Sequence, residues 1–226
     1  MHFLSTIGFH TIYAIVLVVS LWRYPKYYDT PLRFLPILFL YTFLNELLGY
    51  LITIDEDIAL VFSDLTDNSV IYNVYSIISY LYYLYIFWSC SKNQAFRNNV
   101  LYGSLIFLIS CVVNVFVQSF SSGPQTLSYL VGGCILLYCT LSYLRSFFVL
   151  PQEFQLKQNL LFWFSLGLSI FYIGYLPIKI LRFFSNEFVV STTVRNIHLS
   201  LIILMYTLFI VGFIKMRRPL RKTMER

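Results

Sequence analysis

Seven stretches of this chain, near 4–22, 33–53, 69–90, 99–120, 124–148, 158–184 and 196–215, are each long and apolar enough to cross a bilayer. About 20 mostly apolar residues of helix are needed to span the hydrocarbon core. Backbone inside lipid must satisfy its own hydrogen bonds, so segments of this length insert as α-helices. Composition leaves little room for another solution. Hydrophobic residues make up 58% of the 226 and charged ones 12%, with a mean hydropathy of +0.72. A soluble domain holds about twice that share of charge, and a disordered chain is poor in aromatics, which here reach 19%. The expectation is an all-α polytopic membrane protein: one seven-helix domain over 1–226, with a basic tail at 216–226. The start, Met1-His2-Phe3, has no basic region and no small-residue cleavage site follows, so the first helix reads as retained.

Basic residues set the expected orientation, because positively charged flanks stay in the cytoplasm. Thirteen of the sixteen Lys and Arg, among them Arg23, Arg33, Lys92, Arg97, Arg145 and Lys215, fall on one side when seven spans are threaded. The other side holds Lys179, Arg182 and Arg195 with Asp55, Glu56, Asp57, Asp64, Asp67 and Glu187. The amino terminus is therefore expected outside and the carboxyl terminus in the cytoplasm. The net charge of +6 follows from this asymmetry and implies no nucleic-acid partner. Cys90, Cys111, Cys134 and Cys139 lie in or beside spans and read as small apolar residues.

Polar residues inside spans turn towards other helices or a watery cavity. In the third span Tyr72, Asn73, Tyr75, Ser76, Ser79, Tyr80, Tyr82 and Tyr83 oppose a face of Val70, Ile71, Val74, Ile77, Ile78, Leu81, Leu84 and Trp88. The second span carries Thr42, Asn45, Glu46, Gly49 and Thr53, and the sixth Ser165, Ser169, Tyr172 and Lys179. The first adds Thr6, His10 and Tyr13, the fourth Cys111, Asn114 and Gln118, and the seventh Asn196, His198 and Ser200. Counted along the spans at ~1.5 Å per residue, these groups collect in the outer half. The candidate ligand-binding residues are Glu46, Asn45, Asn73, Tyr72, Tyr75, His10, Asn114, Tyr172, Lys179 and His198. Glu46 is the one acid inside a span, and burying its charge unpaired costs ~3 kcal/mol or more. It is either protonated, hydrogen-bonded by Asn or Tyr, or paired with a cation such as Lys179. A closed polar knot locking the second, third and sixth helices is the plain reading, and a ligand site the sharper one. Pro177 removes a backbone donor beside Lys179, so the sixth helix is expected to bend there.

A faint repeat runs at an offset near 123. It pairs Ser20 and Arg23 with Ser142 and Arg145, Gly49-Tyr50-Leu51 with Gly174-Tyr175-Leu176, Asn73 with Asn196, Tyr83 with Tyr206, and Lys92 with Lys215. This would give a 3+1+3 bundle, in partial similarity to transporters of the SWEET and PQ-loop type, whose dipeptide has a counterpart in Pro124-Gln125. The stretch LPILFLYTFLNELLGY at 35–50, GPQ at 123–125, RNIH at 195–198, MY at 205–206, GF at 212–213 and MRR at 216–218 resemble a group of small, uncharacterised seven-helix inner-membrane proteins of Bacteroidetes. That resemblance implies a multi-pass protein of the cell inner (plasma) membrane and brings no activity with it.

No Ser or Cys stands at a spacing that specifies a base, the histidines are scattered, and the last span lacks the Schiff-base lysine of retinal proteins. No catalytic residue, metal ligand or cofactor is therefore assigned. The expected partners are the lipid bilayer, a small-molecule or lipid ligand in the outer pocket, and a cytoplasmic signalling protein reached through the basic tail. The expected role is a receptor or sensor. A small-solute transporter of 3+1+3 type and a structural subunit of a larger membrane complex are the alternatives.

Overall fold

The computed structural model describes residues 2–54, 69–121, 123–149, 159–184 and 192–216, and side chains over 10–51, 69–121, 123–146, 159–181 and 193–216. The acidic stretch 55–67 and most of the basic tail lie outside the described residues. Seven helices follow in order: α1 (His2–Arg23), α2 (Leu35–Ile54), α3 (Ser69–Cys90), α4 (Gln94–Val117), α5 (Thr126–Val149), α6 (Leu160–Phe184) and α7 (Thr192–Lys215). No strand occurs among the described residues. Helices α2 to α7 are each long and apolar enough to cross a membrane, so the chain is a multi-pass membrane protein. α1 has the same length as α3, 22 residues.

The ends of these helices follow local chemistry. α4 begins at Gln94, five residues before the boundary read from hydropathy, because Asn93 caps it: its Oδ1 accepts from the Phe96 N–H at 3.2 Å. Capping chemistry is polar and invisible to a hydropathy window. α7 likewise starts at Thr192, within a polar stretch. Between α1 and α2 the chain turns through short 3₁₀ segments (Tyr24–Lys26 and Pro31–Phe34), with Thr30 accepting from Leu32 N–H and Pro31 at the first helical position. Tyr27 closes this turn: fully buried, it donates to the Ser20 carbonyl at 2.7 Å, and burial holds its phenol above the ordinary range, so it stays a neutral donor. α6 runs unbroken through Pro177, which lies on its exposed face.

Helices α1, α2, α3, α5, α6 and α7 pack as sequential neighbours in a ring that closes where α7 meets α1. α4 lies outside, against α3 and α5, and turns a wide apolar face outward, with Ile109 62% and Phe116 86% exposed. Inside the ring, away from the start of α1, aromatic side chains interlock. Phe164 stacks on Phe209 at 4.4 Å between centroids, Tyr83 meets Phe164 edge-on, and Phe39 touches Tyr206, Phe209 and Phe213. α6 and α7 come close at Gly167, where a Cβ would stand 2.9 Å from Phe209 and 3.1 Å from the Met205 carbonyl oxygen.

Two expectations about faces change. Leu84, assigned to the apolar outer face of α3, is 1% exposed and joins the core. Asn196 and Ser200 face outward on α7, where the Ser200 hydroxyl donates within its own helix to the Asn196 carbonyl at 2.9 Å. A hydroxyl bonded to its own helix no longer needs an inward position. Asn73 and Asn196, equated by the repeat, thus occupy different surroundings, one buried and one exposed.

Candidate functional site

The end of the bundle at which α1, α3, α5 and α7 begin is rich in polar side chains, and α5 explains much of that. The first N–H groups of any helix lack intrahelical partners. Here side chains from neighbouring helices supply them. Asn73, one turn into α3, accepts from Gln125 N–H at 3.1 Å and donates to the carbonyls of Phe120 and Gly123, each at 3.0 Å. Asn114, near the end of α4, accepts from Leu127 N–H at 3.2 Å and donates to the Gln125 side-chain oxygen. Gln118 accepts from Thr126 N–H at 2.8 Å, while the Gln125 amide donates to the carbonyls of Gln118 and Ser119. Four carboxamides therefore hold the α4–α5 turn against α3, and Asn114 is committed to that task at 0% exposure.

Behind this turn lies a cavity of about 170 Å³, walled chiefly by Tyr72, Asn73, Ser76, Tyr80, Tyr129 and Lys179. The Lys179 ammonium stands 5.3 Å from the Tyr129 ring centre, a distance at which a cation is attracted to the π face. The Tyr80 hydroxyl donates to the Tyr129 carbonyl at 3.2 Å. Gly132 lets the floor close: a Cβ there would meet Phe107 at 2.8 Å and Tyr80 at 3.2 Å. Tyr172 backs the wall, its ring 6.0 Å from Tyr80 and 6.4 Å from Tyr129. Hydroxyl and amide donors, phenol faces and an ammonium suit recognition of a small polar molecule.

A second polar group borders the first through Tyr72. His10 on α1 packs its ring 5.2 Å from Tyr50, and its Nε2 is 3.4 Å from the Glu46 carbonyl oxygen. The Glu46 carboxyl has His10, Tyr13, Tyr72 and Tyr75 within electrostatic reach. Lys179, the partner considered from sequence, instead lies over Tyr129. Asn45, 6% exposed, carries an Nδ2 with no hydrogen-bond partner among the described residues. One turn deeper, Tyr75 and Thr42 share a hydrogen bond of 2.7 Å.

Of the ten candidates, Tyr72, Asn73 and Lys179 line the cavity and Tyr172 supports it. His10, Glu46 and Tyr75 form the adjoining group, and Asn45 is buried beside Glu46 in sequence with its Nδ2 unpartnered among the described residues. Asn114 serves the turn, and His198 stacks on Tyr175 at 4.1 Å, on the α6–α7 side. The sequence reading left Ser128 and Tyr129 out of the site. Their spacing from Gln125 and Gly132 (125, 128, 129, 132) is a helical stripe, and that period was the available signal. Comparison with family models, curated proteins and solved structures finds no match for this chain.

Proposed function

We propose that the protein is a membrane receptor or sensor that binds a small polar ligand in the cavity walled by Tyr72, Ser76, Tyr129 and Lys179. The observation that carries this reading is the unequal filling of the bundle. One end holds a polar cavity with an ammonium beside it, and the other is packed with interlocked rings, with Phe39, Phe164, Phe209 and Phe213 at 0–1% exposure. A ligand entering such a bundle has a place to stop and no ready way through. The positive-inside pattern puts the cavity on the outer face and the basic tail in the cytoplasm of the plasma (inner) membrane. Ligand binding between α3, α5 and α6 then shifts helices whose far ends reach a separate cytoplasmic signalling protein.

Transport is the second reading, favoured by the exclusion of α4 from the ring, which leaves two groups of three helices as a 3+1+3 arrangement requires. Thiol accessibility separates the two. Single cysteines replace Ser76, Ser128 or the buried Ser169 in a chain lacking its four native cysteines, and a membrane-impermeant maleimide is applied from each side. The receptor reading expects labelling of Ser76→Cys and Ser128→Cys from outside alone. Labelling from both sides would replace it with transport, and labelling from neither side would leave a closed structural bundle.

A further inference from the structure

The opposite end of the molecule is built differently. Its described residues carry seven Lys and Arg against a single acid, Asp29. All three tryptophans of the chain lie there, and each is covered by a cation: Arg23 over Trp22 at 4.3 Å, Arg97 over Trp88 at 4.3 Å, and Lys215 over Trp163 at 4.8 Å. Two of these pairs meet in one corner, because the Arg23 Nη2 donates to the Ile214 carbonyl at 3.0 Å, one residue before Lys215. The corner also presents apolar surface, with Val18, Leu21, Trp22 and Ile214 between 51% and 66% exposed. The Arg23 Nε is buried and has no hydrogen-bond partner among the described residues.

We propose that this corner, formed by the end of α1, the start of α6 and the end of α7, binds the phosphate headgroup of an anionic phospholipid. Arg23 and Lys215 supply the charge. Stacking on indole fixes each cation in place and lowers the entropy lost when it meets a phosphate. Guanidinium is suited to a phosphodiester because its donors match two oxygens at once. The exposed Val18, Leu21 and Ile214 side chains offer the acyl chains a wall, and tryptophan prefers the headgroup boundary. This assignment does not depend on the cavity at the other end.

The test uses the full-length chain with Trp88→Phe, so that fluorescence comes from Trp22 and Trp163, in phosphatidylcholine vesicles. Brominated phosphatidylglycerol is compared with brominated phosphatidylcholine as quencher at equal mole fraction. The expected result is stronger quenching by the anionic lipid. Lys215→Gln, which leaves the Arg23–Ile214 hydrogen bond in place, is expected to reduce that preference about five-fold, and adding Arg23→Gln about five-fold again. Equal quenching by the two lipids would overturn the proposal. So would a preference that survives in Lys215→Gln but is lost when the chain is cut after Met216, since the tail would then be its source. Loss of the preference on adding inorganic phosphate at constant ionic strength would assign the site to a free anion and overturn the lipid.

Discussion

Asn73→Leu removes the polar groups that join α3 to the α4–α5 turn while keeping the same number and branching of side-chain heavy atoms. Three hydrogen bonds are lost: one from the buried Gln125 N–H and two to the half-buried carbonyls of Phe120 and Gly123. A buried N–H left unpaired costs about 1–3 kcal/mol, and each half-buried carbonyl, which water can reach in part, about 0.5–1 kcal/mol. The sum is about 2–5 kcal/mol, or a roughly 30- to 4,000-fold shift towards the unfolded state. The assay is reversible unfolding in mixed micelles of dodecyl sulfate and a mild detergent, followed by tryptophan fluorescence. Ser110→Ala is the control: its hydroxyl bonds only to Phe107 of its own helix, and its loss is expected to cost under about 0.5 kcal/mol. Because Asn114 holds the same turn from α4, the double variant Asn73→Leu/Asn114→Leu is expected to cost less than the two single changes added together. A stability of Asn73→Leu within about 0.5 kcal/mol of the parent would refute the reasoning, since the turn would then be held by something other than these carboxamides.

Lys179→Met should abolish or weaken ligand response by about ten-fold or more with little change in unfolding, read by ligand-induced thermal shift against unliganded stability; an unchanged response would remove Lys179 from the site. Phe164→Ala takes a fully buried ring from between Tyr83 and Phe209 and should cost about 3–5 kcal/mol in the micelle assay. Phe116→Ala, on the outward face of α4, should change stability by under about 0.5 kcal/mol, and a larger loss would mean that α4 packs against another protein. Tyr27→Phe removes the phenol donor to the Ser20 carbonyl and should cost about 1 kcal/mol.

The helical class and the membrane were legible in the sequence because both depend on local quantities, the length and apolarity of each segment. The polar residues of the site were legible one by one, since Asn73, Tyr72 and Lys179 stand out in apolar helices. Their division of labour was not. Lipid and helix interior are similarly apolar, so a face of Leu, Ile and Val does not announce which of the two it meets. That is why Leu84 proved to be core and why the outlying place of α4 could not be read from its residues. Asn73 and Asn114 have the same chemistry as a ligand site and as a cap, and only the approach of the α5 amino terminus, distant in sequence, decides what they bond. The chain by itself determined seven helices, their amphipathic polar stripes and the clustering of positive charge. Tertiary structure decided which stripes meet, because hydrogen-bond partners such as Asn73 and Gln125 are 52 residues apart and no local pattern links them.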